Sequence, residues 1–554
     1  MTPDHIMGKQ YMKSTTALLM LLVSMSALAE PADTVYRNGD IYTVNDAQPW
    51  VQALAVSNKR IVFTGSDKAV KRYIGPNTRV VDLKGRMVMP GINDAHLHLL
   101  FGGLRELGCK IPSGPFHPVI AEALQSCAAD LEEGDWLVAG NFFVEQFPDN
   151  APNRRYLDEL FPNRPVYLIE MSGHNGLANS KALALAGIDE SSTPPEGGAF
   201  NRDSNGKLTG ELVESAQSLV TDLVPPPTLE KNVAALRKAV EINNRYGVTS
   251  VQEAAGTEEL LEALKRIEDD GDLSLNVKTH IVWSSERHKK GDLAELREFI
   301  DSRARYASPH IDPNGIKMWL DGTPTAPYFT AADLDPETGE PEWGLILIPP
   351  EKLNRYVTEF DAMGLKIKIH ASGAGGAHAV LDAYEAARKA NPDSAIRHDL
   401  GHTNLVAEAD MGRMRALNVV ADLSPSVWHI FGETLGDPPQ RAWQFRTLSD
   451  HGLLLTAGSD WNIAKTPNPF PALQGMLDYG EETIDLISAL RVWTRNGAIS
   501  VGREDDFGTL EPGKLATFIV LDRNLFAIDP SEIGGTIVLQ TIFEDALVYE
   551  ADDA

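Results

Sequence analysis

Cysteine is scarce in this sequence of 554 residues, which contains only Cys109 and Cys127. Two thiols cannot build a four-cysteine zinc site, so metal chemistry in this chain would depend on histidine, carboxylate and lysine side chains. The two cysteines lie in one short region. There they either pair as a disulfide or pack as two buried thiols, and the spacing alone leaves both alternatives open.

Positively charged residues are also few relative to negatively charged ones. The chain has 50 Lys and Arg residues against 78 Asp and Glu residues, which gives a formal net charge of −28. Such a composition lacks the basic surface that binds nucleic acids and anionic lipid headgroups. We therefore expect a small-molecule substrate and no nucleic-acid partner, and we leave open whether the chain forms a homodimer.

Long apolar runs are missing after a short one near the N-terminus, at residues 17–23. Lys9 and Lys13 precede this run, and small residues follow it up to Ala27-Leu28-Ala29. The pattern is typical of a secretory signal peptide that is cleaved before Glu30, and the run is too short to span a bilayer. A structural helix is the alternative. The sequence thus predicts a signal peptide over 1–29, a periplasmic or secreted product, and no stable membrane insertion after cleavage.

After residue 29, the pattern of apolar and polar residues changes twice along the chain. Short alternating apolar runs, broken by glycine and asparagine, occupy 33–89 and return in 508–550, as is typical of antiparallel β-structure. Between them, apolar strand-like runs alternate with amphipathic helical segments, which indicates a parallel sheet. We predict a closed (β/α)₈ barrel with residues 99–235 as one insertion after its first strand. The eight strand candidates are 87–98, 248–253, 277–283, 315–321, 366–370, 396–402, 419–423 and 453–460.

Histidines stand at the ends of several of these strands. His96 and His98 lie at i and i+2 on the first strand, so both side chains point to the same face. His370, His402 and Asp460 each end a later strand. Because the C-terminal strand ends of a barrel meet at one mouth, these five side chains should converge there. Imidazoles with one carboxylate are typical of a site for zinc or a related ion, where the carboxylate can also accept a proton.

The strand over 315–321 carries a lysine among apolar residues. Period-two alternation turns Lys317, Trp319 and Asp321 toward the barrel interior. A buried ammonium beside metal ions is unfavourable unless it pairs with a carboxylate such as Asp321 or reaches solvent. The further alternative is reaction of Lys317 with carbon dioxide, which would give a carbamate that bridges two metal ions.

Four residues near predicted strand ends are candidates for binding substrate, although the barrel core is the default place for any single tryptophan. They are Trp319, Asp321, Trp428 and Trp461.

These features together resemble the amidohydrolase superfamily of metal-dependent hydrolases, and within it amidohydrolase family 3. The resemblance covers nearly all of the chain after residue 29. Its motifs are PG-x-x-D-x-H-x-H at 90–98, Ser-Gly-His at 172–174, Asn-Ser-Lys-Ala-Leu at 179–183, Lys-x-x-x-Asp-Gly at 317–322, Arg397-His398 with His402, Gly-Ser-Asp-Trp at 458–461, and Gly-Thr-Leu-Glu-Pro-Gly-Lys-Leu-Ala at 508–516.

The resemblance implies a distorted (β/α)₈ barrel over 89–504. It also implies a composite β-sandwich domain formed by both chain ends, 30–88 and 505–554. One or two divalent metal ions, Zn²⁺ first among them, would be bound at the barrel mouth, with a carboxylated Lys317 if there are two. The implied ligands are His96, His98, Lys317, His370, His402 and Asp460.

The activity that the resemblance implies is hydrolysis of a carbon–nitrogen bond other than a peptide bond, as in N-acyl or N-formyl amines. Asp460 would take a proton from the metal-activated water and return it to the leaving nitrogen. His174 would stabilise the oxyanion if the insertion folds over the mouth. A lactonase or esterase on the same metal site is one alternative. A non-catalytic metal-binding periplasmic protein is an alternative from another class.

One segment departs from the family pattern. After the fifth-strand histidine the family usually reads His-Ala-Ile-Gly-Asp-Arg-Ala, whereas residues 370–376 here read His-Ala-Ser-Gly-Ala-Gly-Gly. Ala374 and Gly375 thus replace an acidic and a basic side chain, which would alter the support of His370 or the contacts with substrate. His378 either compensates for this loss or lies on a helix surface, and we expect His398 deeper in the barrel than His402.

Overall fold

The computed structural model describes residues 30–552 apart from 172, 196, 284–292, 325–329 and 428–441. Its strands, numbered along the chain, are β1 (Thr34–Arg37), β2 (Asp40–Tyr42), β3 (Trp50–Val51), β4 (Ala53–Ser57), β5 (Arg60–Gly65), β6 (Arg79–Asp82), β7 (Met87–Pro90), β8 (Ile92–Leu97), β9 (Cys109–Lys110), β10 (Leu137–Phe142), β11 (Val166–Glu170), β12 (Asn175–Ala178), β13 (Gly198–Arg202), β14 (Leu208–Glu214), β15 (Val248–Gly256), β16 (Asn276–Val282), β17 (Ile311–Trp319), β18 (Lys366–His370), β19 (Asp399–His402), β20 (Val420–Leu423), β21 (Leu454–Ala457), β22 (Phe518–Leu521), β23 (Val538–Phe543) and β24 (Ala546–Glu550).

The α-helices in the same described ranges are α1 (Asp67–Val70), α2 (Leu99–Leu107), α3 (Ala121–Ala129), α4 (Arg154–Leu160), α5 (Ser180–Leu185), α6 (Ser218–Thr221), α7 (Leu229–Arg245), α8 (Glu258–Asp269), α9 (Leu293–Ser302), α10 (Pro350–Ala362), α11 (Ala374–Ala390), α12 (Glu408–Ala416), α13 (Phe445–Asp450), α14 (Pro469–Met476), α15 (Leu486–Val492) and α16 (Arg495–Ser500). Single 3₁₀ turns lie between several of these elements. Within these ranges, none of the helices combines the length and the apolarity that crossing a membrane requires.

The centre of the molecule is a sheet of eight parallel strands in the spatial order β8-β15-β16-β17-β18-β19-β20-β21. Each predicted strand position contributes one of them, so the (β/α)₈ barrel is confirmed. The last strand returns to the first through backbone hydrogen bonds from Asp460 N to His96 O, at 2.7 Å, and from His98 N to Trp461 O, at 2.5 Å. These bonds bring the ends of β8 and β21 together at one rim.

Strand β18 shows why the sequence folds in this way. Ile367 and Ile369 are fully buried in the apolar layer between the sheet and the surrounding helices. Lys366, Lys368 and His370 alternate with them and are also buried. Since side chains alternate across a strand, the polar set occupies the barrel interior and ends at His370 on the rim.

The apolar run at 87–98, predicted as one strand, is two strands in the structure. Strand β7 pairs with β2 and β22, whereas β8 pairs with β15 of the barrel. Gly91 separates them, and a Cβ atom at this position would collide with the Thr249 side chain. A single stretch of sequence therefore passes from the terminal β-structure into the barrel, and the first of these two units extends to Pro90.

The chain ends form two sheets, with the orders β5-β4-β1-β6 and β24-β23-β22-β7-β2-β3. The second sheet combines strands from both ends of the chain. Tyr36 and Leu54 of one sheet share an apolar core with Val88 and Phe518 of the other. Two sheets that pack through a common apolar core form a β-sandwich.

The insertion carries its own six-stranded sheet, in the order β13-β14-β12-β11-β10-β9. Helices α2 and α7 flank this sheet in sequence and pack against one another. Their contact is close because Gly103 faces the Ala235 carbonyl, with which any Cβ atom at position 103 would collide. The insertion therefore leaves the barrel and rejoins it at nearly the same place.

Cys109 and Cys127 form a disulfide inside the insertion, with a Cα–Cα distance of 5.7 Å. The bridge joins β9 to α3, and both cysteines pack against the apolar core of this unit. Of the two alternatives that the sequence leaves open, the structure therefore has the disulfide.

His310 joins the barrel to the sandwich. Its Nδ1 lies 2.9 Å from Glu268 Oε2 on α8, and its Nε2 lies 3.0 Å from Glu544 Oε1 between β23 and β24. The hydrogen bond with Glu544 is the main reason why the pKa of His310 is raised. Burial alone would raise the pKa of Glu544, but the bonds from His310 and Lys59 lower it to about 2. The contact is strongest when the imidazole is protonated and both carboxylates are ionised.

We expect this contact to make stability depend on pH. The pKa of His310 is raised on folding. Its contribution to the free energy of unfolding is therefore complete below its unfolded pKa of about 6.5, and this contribution is lost as the pH rises through the folded pKa. The contribution of ionised Glu544 to the free energy of unfolding is lost at acidic pH, as the pH falls from 4.5 toward about 2. The variant His310→Gln should lose about 1–2 kcal/mol of unfolding free energy at pH 6 and less at pH 9, measured by urea unfolding. A loss of the same size at both pH values would contradict this assignment.

Candidate metal centre

His96 and His98 meet Asp460 at the rim where the first and last barrel strands join. One ligand atom from each residue lies within 4.8 Å of the others. His98 Nε2 is 3.3 Å from Asp460 Oδ1. His96 Nδ1 is 2.8 Å from Asp422 Oδ2, which leaves Nε2 as the nitrogen of that ring that could bind a metal. A carboxylate behind a ligating imidazole is the usual support of such a ring in metal sites.

His370 and His402 belong to the same cluster. The ring centre of His402 is 4.6 Å from that of His96 and 4.5 Å from that of His370. His370 Nε2 hydrogen-bonds the Gly322 carbonyl at 2.8 Å, and His402 Nδ1 hydrogen-bonds Ser424 Oγ at 3.0 Å. One nitrogen of each ring is thus held by the protein, and the other is the atom with which the ring can bind a metal.

The backbone is also unusual at this rim. His402 and Asp460 both have positive φ angles, of 68° and 52°. Residues other than glycine adopt this region seldom, and such conformations are concentrated at functional sites, where the surrounding structure holds them.

Lys317 lies among the imidazoles. It is almost completely buried, and its Nζ is 3.4 Å from His96 Nε2 and 5.1 Å from the centre of the Trp319 ring. The expected interior position of Lys317 and Trp319 therefore agrees with the structure. The carbamate on Lys317 stays a prediction.

Asp321 is fully buried, with Oδ1 3.6 Å from His370 Nε2. Its carboxylate accepts hydrogen bonds from the backbone N–H groups of Ser372, Gly373 and Ala332, at 2.9, 3.0 and 3.1 Å. Burial raises the pKa of Asp321 to about 7, although these three donors favour the charged form. The contacts fix the start of α11 and the loop after β17, so Asp321 orders the backbone behind His370, and its role in binding substrate stays a prediction.

Contacts with the loop after β17 also explain why residues 370–376 depart from the family pattern. A Cβ atom at Gly375 would collide with the Asp333 carbonyl, and one at Gly376 would lie 2.5 Å from Asp321 Oδ2. The loop after β17 thus fills the space that larger side chains would need. His378 does not compensate at the rim, because it lies on α11 with Nδ1 3.0 Å from Asp410 Oδ2.

His174 brings the insertion to the barrel mouth. Its ring centre is 5.7 Å from that of His370, and its Nδ1 is 2.8 Å from Glu214 Oε1. The condition attached to its predicted role, that the insertion folds over the mouth, is therefore met. The role itself stays a prediction.

The remaining predicted positions have other surroundings. Trp461 is fully buried and packs against Gly102 of α2, so its place is in the core. Trp428 and Ser172 lie outside the described residues. His398 is buried with Nε2 3.0 Å from Asp361 Oδ1 on α10, which places it away from the rim.

Burial sets the protonation of the cluster. Burial, with the nearby charge of Lys317, lowers the pKa of His96 well below its usual value, and burial has the same effect on His370. Burial lowers the pKa of His402 to about 3. Burial alone would raise the pKa of Asp460, but the hydrogen bond from His98 and the nearby positive charges hold it below its ordinary value. Neutral imidazoles and an ionised carboxylate are the forms that bind a divalent metal.

Several supporting residues escape sequence reasoning. Asp94 Oδ1 accepts from Ser459 N at 3.0 Å and His96 N at 3.2 Å, and so ties the two motifs together. Lys368 is fully buried, donates to Ala95 O at 2.9 Å, and pairs with Asp422. The signal that could have revealed them is a charged residue inside an apolar strand, as in Val420-Ala421-Asp422-Leu423.

The donor set therefore fits a divalent metal. It combines imidazole nitrogens, one ionised carboxylate, and neighbouring groups that hold His96, His370 and His402 at one ring nitrogen each. The chemistry of these donors suits zinc, and it equally suits other divalent ions that accept nitrogen and oxygen ligands.

Comparison with known proteins agrees with this reading. The family model of the amidohydrolase family matches residues 79–549. The chain is 29% identical to Protein LONG AFTER FAR-RED 3 of Arabidopsis thaliana over 89% of this chain and 88% of that protein. It is 27% identical to the N-substituted formamide deformylase of Arthrobacter pascens over 94% of this chain and 99% of the enzyme.

A solved structure shares the fold. The crystal structure of an uncharacterized metal-dependent hydrolase from Pyrococcus horikoshii OT3 has a TM-score of 0.68 and 24% identity, and the match covers 90% of this chain and 99% of that one. At this identity the likeness establishes the fold alone. The family match spans the barrel, the rim motifs and part of the terminal β-structure, and the chain therefore belongs to amidohydrolase family 3.

Proposed function

We propose that this protein is a hydrolase of a carbon–nitrogen bond other than a peptide bond, and that its substrates are N-formyl or N-acyl amines. The observation that carries the proposal is the ionised Asp460 beside the imidazoles of His96 and His98, with one atom from each within 4.8 Å. The relative named as an N-substituted formamide deformylase supports the substrate class.

The residues that would hold a metal here are His96, His98, His370, His402 and Asp460, with Lys317 beside them. When bound, a divalent ion supplies a Lewis acid for the substrate carbonyl and lowers the pKa of water to about 7. Burial lowers the pKa values of His96, His370 and His402, which keeps competing protons off these three imidazoles at neutral pH.

Asp460 is placed to move the proton. Its low pKa keeps it ionised at neutral pH, and its Oδ1 is held by His98 Nε2 at 3.3 Å. The carboxylate accepts a proton as the water oxygen bonds to the carbonyl carbon. It returns this proton to the nitrogen as the carbon–nitrogen bond breaks, so the products are a carboxylic acid and an amine.

His174 acts from the insertion, with its ring centre 5.7 Å from that of His370. With Nδ1 held by Glu214, its other nitrogen, when protonated, can donate to the carbonyl oxygen as negative charge develops there. Its position on the insertion means that the barrel holds the metal ligands while the insertion supplies the group that faces the oxygen.

A substrate panel tests the proposal. Metal-loaded protein is assayed with N-formyl amines, N-acetyl amines, ethyl esters, lactones and dipeptides, and kcat/KM is measured for each class. We expect the N-formyl and N-acyl amines to be the best substrates. The control His378→Gln, which changes a histidine on α11 away from the rim, should keep the wild-type rate.

Two outcomes would contradict the proposal. Faster hydrolysis of lactones or esters, with the amides untouched, would indicate a lactonase or esterase. Full metal content without turnover of any member of the panel would indicate a metal-binding protein that lacks this activity.

We also propose that the protein is exported, with residues 1–29 as the signal peptide. The disulfide between Cys109 and Cys127 supports this, because such bridges persist in oxidising compartments. Expression of the full chain in a host that exports it should give a product that begins at Glu30, as measured by N-terminal sequencing. An unprocessed chain retained in the reducing cytosol would contradict export.

A further inference from the structure

We propose that Glu214 is the positioning residue of His174, and that through Thr330 it makes the placement of His174 depend on contact between the insertion and the barrel. The proposal rests on the function proposed above, in which His174 faces the reacting carbonyl. Glu214 belongs to none of the motifs that carry the family resemblance, and nothing in the sequence pattern singles it out.

Glu214 and His174 are joined by backbone as well as side chain. Glu214 N donates to His174 O at 2.9 Å, next to the antiparallel pair formed by Asn175 and Val213. The Glu214 side chain then returns to the same residue, with Oε1 2.8 Å from His174 Nδ1. The register of β12 and β14 therefore fixes both partners, and the carboxylate sets the orientation of the imidazole.

The backbone of Glu214 is held in an unfavourable conformation. Its φ and ψ are 50° and −124°, which residues other than glycine adopt at a cost of order 1–3 kcal/mol. The residue is also 95% buried, since only 5% of its surface is exposed. A carboxylate that is buried and strained at the end of a strand is placed by the surrounding structure, and its side chain points at a residue over the barrel mouth.

A second contact of Glu214 reaches the barrel. Thr330 Oγ1 donates to Glu214 Oε1 at 3.0 Å. Thr330 lies in the loop after β17, where its carbonyl accepts from Gly322 N at 3.0 Å. Gly322 O is in turn the acceptor of His370 Nε2. One carboxylate oxygen thus contacts the imidazole of the insertion and the loop that supports a predicted metal ligand.

Gly322 shows how closely this junction is packed. A Cβ atom at this position would collide with the Thr330 hydroxyl and would lie 2.9 Å from Glu214 Oε1. Glycine at the end of the Lys-x-x-x-Asp-Gly motif therefore leaves room for the contact between the two units. The geometry assigns Glu214 to positioning, because its Oε1 contacts His174 Nδ1 at 2.8 Å and Thr330 Oγ1 at 3.0 Å.

A double-mutant cycle tests this assignment. We expect Glu214→Ala to lower kcat about 10- to 100-fold with little change in KM, as is usual when the residue that orients a functional imidazole is lost. His174→Ala should lower kcat at least as much, and the double variant should be no slower than His174→Ala within a factor of two. Glu214→Gln keeps a hydrogen-bond acceptor and should be faster than Glu214→Ala.

The matched control is Glu211→Ala. Glu211 lies on the same strand and is buried, but its carboxylate contacts Thr209 and Asn201. This variant should keep the wild-type kcat, and all variants should keep the wild-type metal content. Multiplicative losses in Glu214→Ala and His174→Ala would overturn the proposal, as would a Glu214→Gln variant no faster than Glu214→Ala.

A measurement that needs no turnover separates this proposal from the proposed function. In protein with ¹⁵N-labelled histidine, the His174 signals are identified by their loss in His174→Ala. We expect Nδ1 of His174 to carry the proton in the wild type and to lose this preference in Glu214→Ala. An unprotonated Nδ1 in the wild type would overturn the assignment even in an active enzyme. A protonated Nδ1 in a protein that hydrolyses none of the panel would refute the proposed activity and leave the pairing intact.

Discussion

Replacing Asp460 by asparagine should lower kcat by about 1000-fold or more, because general-base catalysis contributes about 10²–10⁴-fold and this residue is proposed both to take and to return the proton. Asparagine keeps the size and one oxygen that accepts hydrogen bonds, but it cannot take up the proton from water. The hydrogen bond between His98 Nε2 and the oxygen at position 460 can persist.

The measurement is kcat on the best amide substrate together with the metal content of the same preparation. Loss of rate with metal retained identifies proton transfer as the lost step. The matched control is Asp393→Asn, on an exposed turn after α11, which should have the wild-type rate. Equal rates for wild type and Asp460→Asn would end the assignment of Asp460 as the base.

Removing the metal should lower the rate of hydrolysis as much as the Asp460→Asn substitution. Treatment with a strong chelator, followed by its removal, should reduce hydrolysis by at least about 1000-fold, since Lewis-acid activation and the supply of nucleophile are lost together. Addition of Zn²⁺ or another divalent ion should restore the rate. The barrel should stay folded without metal because an apolar core surrounds the sheet, and circular dichroism should therefore change little.

The number of ions is measured in the same experiment. Two ions per chain in the wild type and fewer in Lys317→Ala would support the carbamate-bridged site. One ion per chain with an unaffected Lys317→Ala variant would contradict it. A protein that keeps its full rate after complete removal of metal would contradict the metal-dependent mechanism altogether.

The barrel could be predicted from the sequence because its strands carry a strong periodic signal. In β18 the alternation of Lys366, Lys368 and His370 with two isoleucines separates the interior from the outer apolar layer. The convergence of the rim histidines could be predicted for the same reason, since strand ends converge in this architecture. The sequence pattern was therefore sufficient to predict features that the residues of a single strand determine.

Other features depend on contacts between distant segments. The split at Gly91 could not be seen in an uninterrupted apolar run, because Thr249, which restricts that position, is far away in the sequence. The alternation of β17 predicts that Asp321 faces the interior, but it does not show that backbone N–H groups of two later loops donate to its carboxylate. Glu214 ends a strand of the insertion, and only the folded chain shows that it contacts His174.

The close contact of α2 with α7 has a consequence for how proteins of this architecture can diversify. Because the insertion departs and returns at adjacent points, it can be lengthened, reshaped or exchanged without changing the register of any barrel strand. The predicted metal ligands other than His96 and His98 all follow the point of return. A new insertion would therefore present a different chemical group at the position of His174 above an unchanged reactive centre, so new substrates become accessible while the hydrolytic step is preserved.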